Sequence, residues 1–423
     1  MFWRIVDEEA LLSRHASGLL HEALDVFRVV VVNGPRQSGK STLLDLSAAA
    51  RGSTVATLDD PRLLRSARTD PTGFLEGLTR PGYIDEVQRG GDPLILAIKA
   101  AADRNPRQRG QVVLSGSSKF LGVPTLSETL AGRAGIIDLW PLSQGEHDGK
   151  LDQLIDRLFK PTSVLRSVSP EAQSRGALMN RVVRGGFPEV RALDGNARRL
   201  WFDSYIRTVI ERELMPLYRA RQVADLPRLL AVLAARTAQE LNVSSLARTL
   251  EVTKDICAAY VMLLSTVYLH FELPGWSDSV LAEARKRPKL HMVDSGLAAH
   301  LRRESIDLLS NPIRSDSGPI VESFVAGELV RQVTWSEERP RLAHYRDAQG
   351  REVDFILETS DGRIVAVEVK TAIDVDETDF RWLRYLRNRL GDRFVNGVVL
   401  HIGDRPLPFG DRLTALPISA LWS

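Results

Sequence analysis

The 423-residue chain is too long for one ordinary hydrophobic core, so we expect two or three domains. Its 56 basic and 54 acidic residues leave a formal net charge of +2, which excludes a chain-wide positive field for nucleic acid. A single cysteine, Cys257, excludes an internal disulfide and a cysteine-based zinc cluster.

The start of the chain, MFWRIVDEE, lacks the basic region and the apolar run of a signal peptide. No apolar stretch approaches the roughly 20 residues that are needed to span a bilayer. We therefore expect a cytoplasmic protein that does not bind a membrane.

Stretches rich in polar residues, Gly or Pro interrupt the periodic sequence near residues 144–150, 285–288 and 310–319. The first and last of these divide the chain into three predicted regions. Their bounds are 1–145, 146–310 and 311–423.

A phosphate-binding loop is predicted close to the N-terminus. Residues 28–33, RVVVVN, form a short β-branched run that is typical of a buried parallel strand. They lead directly into GPRQSGKST, which has the G-x-x-x-x-G-K-[ST] pattern and is followed by a helical pattern. The alternative is a Gly-rich turn with a chance lysine, but the strand, loop and helix context favours a P-loop. The predicted phosphate-binding residues are Gly34, Pro35, Arg36, Gln37, Ser38, Gly39, Lys40, Ser41 and Thr42.

The chemistry of this loop follows from its residue types. Glycines let backbone N–H groups turn toward phosphates, and the N-terminus of the next helix adds positive potential. Lys40 supplies a positive charge for the β- and γ-phosphate oxygens, and the Ser41 hydroxyl is suited to coordinate Mg²⁺. The sequence thus predicts ATP and Mg²⁺ as ligands.

A second predicted strand, PGYIDE at 81–86, carries two adjacent acids. Asp85 is predicted to hold Mg²⁺ through water, and Glu86 to orient and polarise the attacking water. An Asp-Glu pair alone is also typical of a solvated strand end. Its position downstream of a P-loop favours the catalytic interpretation.

Two further residues each have two readings. Ser115, at the end of a third predicted strand and before Ser117 and Ser118, is suited to contact the γ-phosphate or the water, or to cap the next helix. Arg133 precedes a predicted strand at 136–140. It is suited either to act as an arginine finger for a neighbouring subunit's nucleotide or to stabilise a helix C-terminus.

These motifs together resemble the AAA-type (AAA+) P-loop ATPases of bacteria and archaea, in which the ATPase precedes a C-terminal region of unknown function. The resemblance implies an α/β fold with a parallel sheet and ATP hydrolysis. It is also compatible with a homo-oligomer. It rests on the segments 34–41, 83–88 (YIDEVQ), 114–118 (LSGSS), 130–133 (LAGR), 185–189 (GGFPE) and 289–297 (KLHMVDSGL).

The middle region is predicted to be helical with a winged-helix-like segment. Residues 174–233 show a helical pattern, and 244–256 read as helix, tight turn and helix with a cap at Thr253. Residues 267–273 follow as the strand of a wing. Because Lys254 alone is basic at the start of the second helix, a structural or oligomerisation role is weighed at least equally with DNA reading.

Residues 289–293 are predicted to form a strand, and Asp294 after them is interpreted as a helix cap rather than a catalyst. His291, His344 and His401 have no metal-ligand spacing, so they are interpreted as structural and no zinc site is proposed.

The C-terminal region is predicted to contain a helix, a three-stranded meander, a second helix and a last strand. The predicted elements are 319–330, 342–346, 352–358, 363–370, 377–390 and 397–401.

One predicted register brings two acids together. If Thr359 pairs with Arg363 across the second turn, Asp354 lies opposite Glu368, with their Cβ atoms about 5 Å apart. Carboxylates this close repel each other unless a cation lies between them. The sequence therefore predicts Mg²⁺ here, with Lys370 placed to steady the developing negative charge.

This arrangement resembles the core of the PD-(D/E)XK nucleases, whose order is helix, three strands, helix, strand. Asp354, Glu368 and Lys370 match its Asp…Glu-x-Lys, and Glu322 matches the helix acid that some members add. The chain departs from the pattern in having Val353 where the family has proline. The resemblance implies Glu322, Asp354 and Glu368 as metal ligands and Lys370 as a catalytic residue. The alternative is a solvated hairpin with salt-bridged Asp, Glu and Lys.

Three functions are consistent with these motifs. The first is an ATP-dependent enzyme that handles nucleic acid, DNA rather than RNA, through a Mg²⁺-dependent nuclease-like domain. The second is a nucleotide-switched regulatory or binding module in which the nuclease-like fold is inert. The third makes the C-terminal domain a structural dimerisation module.

Overall fold

The structure is a computed structural model that describes residues 11–117, 129–214, 225–311, 313 and 316–423. Ser118, the residues before Thr129 in the predicted finger segment, and the first ten residues lie outside the described residues. So do residues 215–224 of the predicted helical pattern.

Two compact units divide the described chain. The first contains the residues up to Gly34 together with Ser38–Leu151. The second contains Pro35–Gln37 and Asp152–Ser423. Among the described residues, none of the helices combines the length and the apolar composition of a membrane span.

The first unit is built on a five-stranded sheet of order β2-β3-β4-β1-β5, in which every pairing is parallel. The predicted parallel P-loop sheet is thus confirmed. Crossover connections put helices on both faces of such a sheet, which explains why its strands are apolar without alternation. The strands are β1 Val29–Asn33, β2 Val55–Thr57, β3 Gly82–Asp85, β4 Val112–Gly116 and β5 Ala134–Asp138.

The sheet has a hydrophobic core on each face, because successive residues of a strand point to opposite sides. Val29 and Val31 belong to one core, and Val30 and Val32 to the other. The helices of this unit are Ala16–Val26, Lys40–Ala49, Pro61–Thr69, Pro71–Glu76, Gly91–Arg104 and Gln144–Asp148, with a 3-10 turn at Val87–Gly90.

The second unit begins with helices. They are Leu154–Leu158, Thr162–Arg166, Arg175–Arg184, Gly195–Val209, Leu226–Ala235, Val243–Leu250, Lys254–Thr266, Val280–Glu283, Ser295–Arg302 and Ile306–Ser310. A π-helical turn covers Ile210–Leu214, and 3-10 turns cover Pro188–Ala192, Gly391–Arg393 and Ile418–Trp422.

A small antiparallel sheet accompanies these helices. Its order is β6-β8-β7, from β6 Gln239–Glu240, β7 His270–Leu273 and β8 Lys289–Met292. The predicted caps are confirmed. Thr253 accepts a hydrogen bond from the Ile256 N–H at 3.3 Å, and Asp294 Oδ1 accepts one from the Leu297 N–H at 2.9 Å.

The C-terminal part contains a six-stranded sheet of order β13-β14-β12-β11-β10-β9. The predicted order of helix, three strands, helix and strand is observed. The elements are the helix Gly318–Trp335, β9 Arg341–Arg346, β10 Glu352–Glu358, β11 Ile364–Val369, the helix Arg381–Leu390, β12 Phe394–His401, β13 Leu407–Pro408 and β14 Leu413–Pro417.

The register between β10 and β11 agrees with the prediction. Phe355 pairs with Val367, and the Thr359 N–H donates to the Arg363 carbonyl at 3.0 Å across the turn. The next positions along the two antiparallel strands are Asp354 and Glu368. The same end of the sheet therefore carries both acids.

Candidate nucleotide-binding site and carboxylate cluster

The loop after β1 requires glycine at its first position. Gly34 has φ +152°, and a Cβ there would lie 2.2 Å from the Leu139 carbonyl oxygen. A side chain would clash at that distance. Only glycine at position 34 therefore lets the loop pass this close to the Leu139 backbone.

The loop ends at the start of a helix. Gly39 takes up φ +93° and is the residue before the helix Lys40–Ala49. Lys40 is 6% exposed, and its ammonium group donates to the Gly34 carbonyl at 3.0 Å. The ammonium group and the helix N-terminus thus direct positive potential at the space that the loop surrounds.

The predicted acid of β3 meets the loop directly. The Ser41 hydroxyl donates to Asp85 Oδ2 at 2.8 Å, and Asp85 is 7% exposed. Ser115 on β4 also donates its hydroxyl to Asp85, at the other carboxylate oxygen. Ser115 therefore orients the Asp85 carboxylate. The sequence analysis predicted a phosphate or water contact or a helix cap for Ser115, but not this role.

Glu86 follows in a left-handed conformation with φ +57°. Its backbone N–H donates to the Ser115 hydroxyl at 3.3 Å. The Gln88 amide nitrogen donates to the Glu86 carboxylate and, at 3.3 Å, to the Ser117 hydroxyl. Gln88 is a positioning contact for Glu86 that the sequence analysis missed.

The remaining loop residues have other environments. Pro35–Gln37 group with the second unit, where Arg36 pairs with Glu213 at 2.8 Å and the Gln37 amide nitrogen lies 3.4 Å from Glu189. Thr42 is exposed in the first turn of the helix.

Arg133 is engaged within its own unit. Its guanidinium group donates to both oxygens of Asp103, at 2.7 and 2.9 Å, and to the Ala131 carbonyl at 3.0 Å. The hydrogen bond with Asp103 raises the pKa of Arg133 and lowers that of Asp103. The finger and helix-end readings both stay predictions.

The buried Arg14 side chain stabilises the phosphate-binding loop through hydrogen bonds. The sequence analysis did not predict this contact. Arg14 donates to the Ser38 carbonyl at 2.6 Å, to the Trp140 carbonyl at 2.7 Å and to Glu146 Oε1 at 3.0 Å. Glu146 also forms a capping box with Ser143. The spacing S-x-x-E is a readable signal for that box, although it does not reveal the arginine.

The first unit matches a known family over most of its length. Residues 26–147 match the family described as "AAA domain". The chain carries an AAA-type P-loop ATPase domain. The predicted resemblance is therefore confirmed for this part of the chain, which we call the AAA domain.

Two further segments of the chain match families of unknown function. Residues 175–307 match "Domain of unknown function (DUF8612)" and residues 317–421 match "Domain of unknown function (DUF4143)". A C-terminal region of unknown function after the AAA domain agrees with the predicted resemblance. The nuclease-like and winged-helix-like folds stay predictions.

Individual proteins are also similar to the chain. An uncharacterized protein of Mycobacterium tuberculosis and one of Mycobacterium bovis are each 28% identical over 409 residues, covering 96% of this chain and 83% of the relative. The Walker-type ATPase PABY2304 of Pyrococcus abyssi is 17% identical with a TM-score of 0.45, covering 71% of this chain and 99% of its own. A RuvB variant of Thermotoga maritima is 19% identical with a TM-score of 0.30, covering 62% and 90%. Because both TM-scores lie below 0.5, neither likeness bears on what this chain does.

The loop of the AAA domain fits a phosphate ligand. Among the described residues, the buried Ser38 hydroxyl and the buried Asn33 Oδ1 have no hydrogen-bond partner within the chain. A hydroxyl can donate to a phosphate oxygen, and an amide oxygen can accept from water. Together with Lys40, the Ser38 hydroxyl suits a phosphate ligand.

A second group of charged residues lies in the C-terminal part of the other unit. We call Glu322, Glu352 and Asp354 the carboxylate cluster. The Lys289 ammonium group lies at its centre, 2.6 Å from Glu322 Oε1, 2.8 Å from Glu352 Oε1 and 3.3 Å from Asp354 Oδ1. The lysine side chain is 2% exposed.

Glu368 and Lys370 lie at the edge of this cluster. The Lys370 ammonium group donates to Glu368 Oε1 at 3.0 Å. Asp354 Oδ2 accepts a hydrogen bond from the Val369 N–H at 2.9 Å. The predicted residues Glu322, Asp354, Glu368 and Lys370 thus lie in one charged region, and their catalytic roles stay a prediction.

The electrostatics of the cluster follow from burial and close charges. Burial by itself would lower the pKa of Lys289, but Asp354, Glu322 and Glu352 outweigh it and raise that pKa. Burial and Asp354 raise the pKa of Glu322 well above its usual range. The pKa of Glu352 is lowered, because Lys289 outweighs the effect of burial. Burial and Asp354 raise the pKa of Glu368 to about 8.

The Lys289 ammonium group lies where a divalent ion would contact these carboxylates. In the ranges that the structure describes, no group of three or more His, Cys, Asp or Glu side chains is placed to hold a metal. The sequence analysis missed both Lys289 and Glu352. Glu352 had a signal, since it shares a strand face with Asp354 two residues away. The Mg²⁺ ligands that the sequence analysis named, Glu322, Asp354 and Glu368, stay a prediction.

The three histidines interpreted as structural are all buried. His344 Nε2 is hydrogen-bonded to the Arg287 carbonyl at 3.0 Å, and His401 Nδ1 to the Ile373 carbonyl at 2.8 Å. Burial lowers the pKa of His291 well below its usual value, which favours the neutral ring.

Proposed function

We propose that the chain is a Mg²⁺-dependent ATPase that uses nucleotide turnover to switch a nuclease-like domain between states of nucleic-acid binding. The observation that carries the ATPase half is the 2.8 Å contact between the Ser41 hydroxyl and Asp85. It brings the P-loop and the acid-bearing strand to one point.

The residues of the AAA domain have separable roles in this proposal. Lys40 and the helix N-terminus at Gly39 bind and orient the triphosphate. Ser41 and Asp85 would hold Mg²⁺, which neutralises charge on the phosphate oxygens when it is bound. Ser115 keeps the Asp85 carboxylate directed toward Ser41.

Glu86 is the residue best placed to act on water. Its carboxylate follows β3 directly and is held by the Gln88 amide. In the proposed reaction it accepts a hydrogen bond from the attacking water and orients it toward the γ-phosphate.

ATP hydrolysis by the full chain tests this half. Lys40→Ala removes the charge that binds the phosphates, so we expect turnover to fall to background. Lys150→Ala, at an exposed lysine of the same unit, is the matched control and keeps wild-type turnover. Hydrolysis by the Lys40 variant at the control's rate would reject the assignment.

The nucleic-acid half is supported by charge on one helix. The helix Arg381–Leu390 contains four arginines and no acidic residue in its ten positions. Arg381 is exposed beside the Trp382 ring, with its guanidinium carbon 4.2 Å from the ring centroid. Arginines bind nucleic-acid backbones, and aromatic rings stack on bases. Arg384 is paired with Glu377 and Arg389 with Asp278, so Arg381 carries the proposed phosphate contact of this local basic surface.

Fluorescence anisotropy with labelled single- and double-stranded DNA tests this surface. Arg381→Ala should weaken binding and reduce its dependence on salt, because a phosphate contact is lost. Arg65→Ala, at an exposed arginine of the AAA domain, is the control. Equal affinity and salt dependence in the Arg381 variant and the control would reject this surface.

Cleavage of nucleic acid is the second candidate. The proximity of Asp354, Glu368 and Lys370 favours it, together with the observed order of the surrounding elements. It predicts DNA cleavage in the presence of ATP and Mg²⁺ that Glu368→Ala abolishes. Equal product from wild type and variant leaves the binding module as the function of this domain.

A further inference from the structure

A buried ammonium group needs compensation. Lys289 is the first residue of β8, and burial of an unpaired charge in a protein interior is strongly unfavourable. The lysine is held by carboxylates from two other elements, the helix Gly318–Trp335 and β10. An ammonium group has three N–H donors, and three carboxylates surround this one.

The same carboxylates would be the ligands of a metal ion. Glu322 and Asp354 are two of the positions at which the nuclease resemblance expects one. Mg²⁺ binds oxygens at about 2.0–2.1 Å and requires them to converge on one point. The Lys289 nitrogen already lies where Glu322, Glu352 and Asp354 converge, and the second oxygen of Asp354 is bonded to the Val369 N–H.

Two cations cannot share this position. A lysine nitrogen and a divalent ion that contact the same oxygens would lie within a few ångströms of each other, where like charges in a protein interior repel strongly. The carboxyl oxygens of Glu322, Glu352 and Asp354 are therefore already satisfied by one cation, the Lys289 ammonium group.

We propose, on the nuclease-like fold proposed above, that Lys289 is the resident cation of the carboxylate cluster and excludes a divalent metal ion from it. In this arrangement the domain keeps the carboxylates of a metal site and satisfies them with its own lysine. A divalent ion gains access when the Lys289 side chain is removed or leaves.

Manganese binding to the full chain, followed by electron paramagnetic resonance without nucleotide, tests this. We expect Lys289→Met to bind one Mn²⁺ per chain more than wild type does. Lys289→Met combined with Glu322→Gln should lose the added site. The P-loop contributes equally to every variant, because none of the substitutions touches it.

Lys286→Met is the matched control. Lys286 is a nearby lysine whose ammonium group donates to the Arg346 carbonyl rather than to the cluster. The Lys286→Met variant should bind no more Mn²⁺ than wild type does. A gain in this variant would show that loss of any nearby lysine charge has the same effect.

Thermal unfolding provides a second readout that does not depend on activity. Mn²⁺ should raise the melting temperature of Lys289→Met and leave that of wild type unchanged, because an ion that binds the folded form alone stabilises it. If Lys289→Met does not fold without metal, refolding in Mn²⁺ should restore it.

Two results would overturn the proposal. One is a wild-type Mn²⁺ site that Asp354→Asn removes, since the metal would then coexist with Lys289. The other is a folded Lys289→Met protein with no added site. Neither depends on ATP hydrolysis, so failure here is distinguishable from failure of the ATPase assignment.

Discussion

The hydroxyl of Ser41 lies 2.8 Å from Asp85 Oδ2, so two residues that are 44 positions apart meet at one end of the parallel sheet. In an open parallel sheet the carboxyl ends of neighbouring strands share an edge, and ligands bind there. The contact places the loop and the acid side by side, which is the arrangement that the proposed Mg²⁺ site needs.

Asp85→Asn keeps the shape of this contact and removes its charge. We expect binding of ATP without Mg²⁺ to be retained and Mg²⁺-dependent hydrolysis to be lost, since an amide is a poorer magnesium ligand than a carboxylate. Calorimetry and a phosphate-release assay measure the two effects. The exposed Asp92→Asn serves as control. Normal hydrolysis in the Asp85 variant would mean that another group holds the ion.

Glu86→Gln separates binding from chemistry. Glutamine keeps the size of the side chain but cannot accept a proton, so we expect ATP affinity to be preserved and turnover to slow by about 10²- to 10⁴-fold. Single-turnover hydrolysis measures this. Gln88→Ala, which loosens Glu86 without removing it, should cause a smaller loss. Hydrolysis at the full rate by the Glu86→Gln variant would exclude Glu86 as the residue that acts on water.

Arg14→Ala tests the brace behind the P-loop. The arginine and Glu146 are 8% and 0% exposed, and removing one partner of a buried ion pair costs about 3–5 kcal/mol. We expect the unfolding transition of the first unit in urea to shift accordingly. Arg104→Ala breaks an exposed pair with Glu76 and should cost under about 1 kcal/mol. Equal shifts would show that the buried contacts contribute no more than the surface pair.

Glu368 makes stability depend on pH. Its pKa of about 8 in the folded chain exceeds the usual value of 4.5, so the folded state binds more protons between these values. The stabilising contribution is complete below about pH 4.5 and is lost as the pH rises through 8. Glu368→Gln should therefore gain stability relative to wild type over this range, measured by thermal melts. The exposed Glu337→Gln is the control for replacing a glutamate by glutamine. A stability difference between Glu368→Gln and wild type that does not change with pH would contradict the raised pKa of Glu368.

Local patterns made part of this structure predictable. The strand and loop at 28–42 are contiguous in sequence, and the pairing of Thr359 with Arg363 follows from a short turn. Counting residues from that pairing along the two adjacent strands places Asp354 and Glu368 at the same end of the sheet. The parallel sheet followed from its apolar strands.

Contacts between distant segments were not predictable. Lys289 lies 33 positions from Glu322 and 65 from Asp354, and Arg14 lies 132 positions from Glu146. Nothing in the residues around Lys289 indicates which helix and strand it will meet. From the sequence we therefore predicted two acids that repel each other, with Mg²⁺ bound between them. The structure instead places a lysine among the neighbouring carboxylates.

The most direct test of the account is a crystal structure of the full chain with Mg²⁺ and a non-hydrolysable ATP analogue. We expect the triphosphate within the 34–42 loop, with the Lys40 ammonium group on the β- and γ-phosphates and the metal bound to the Ser41 hydroxyl. A nucleotide bound elsewhere, or crystals grown in saturating analogue that leave this loop without it, would contradict the assignment.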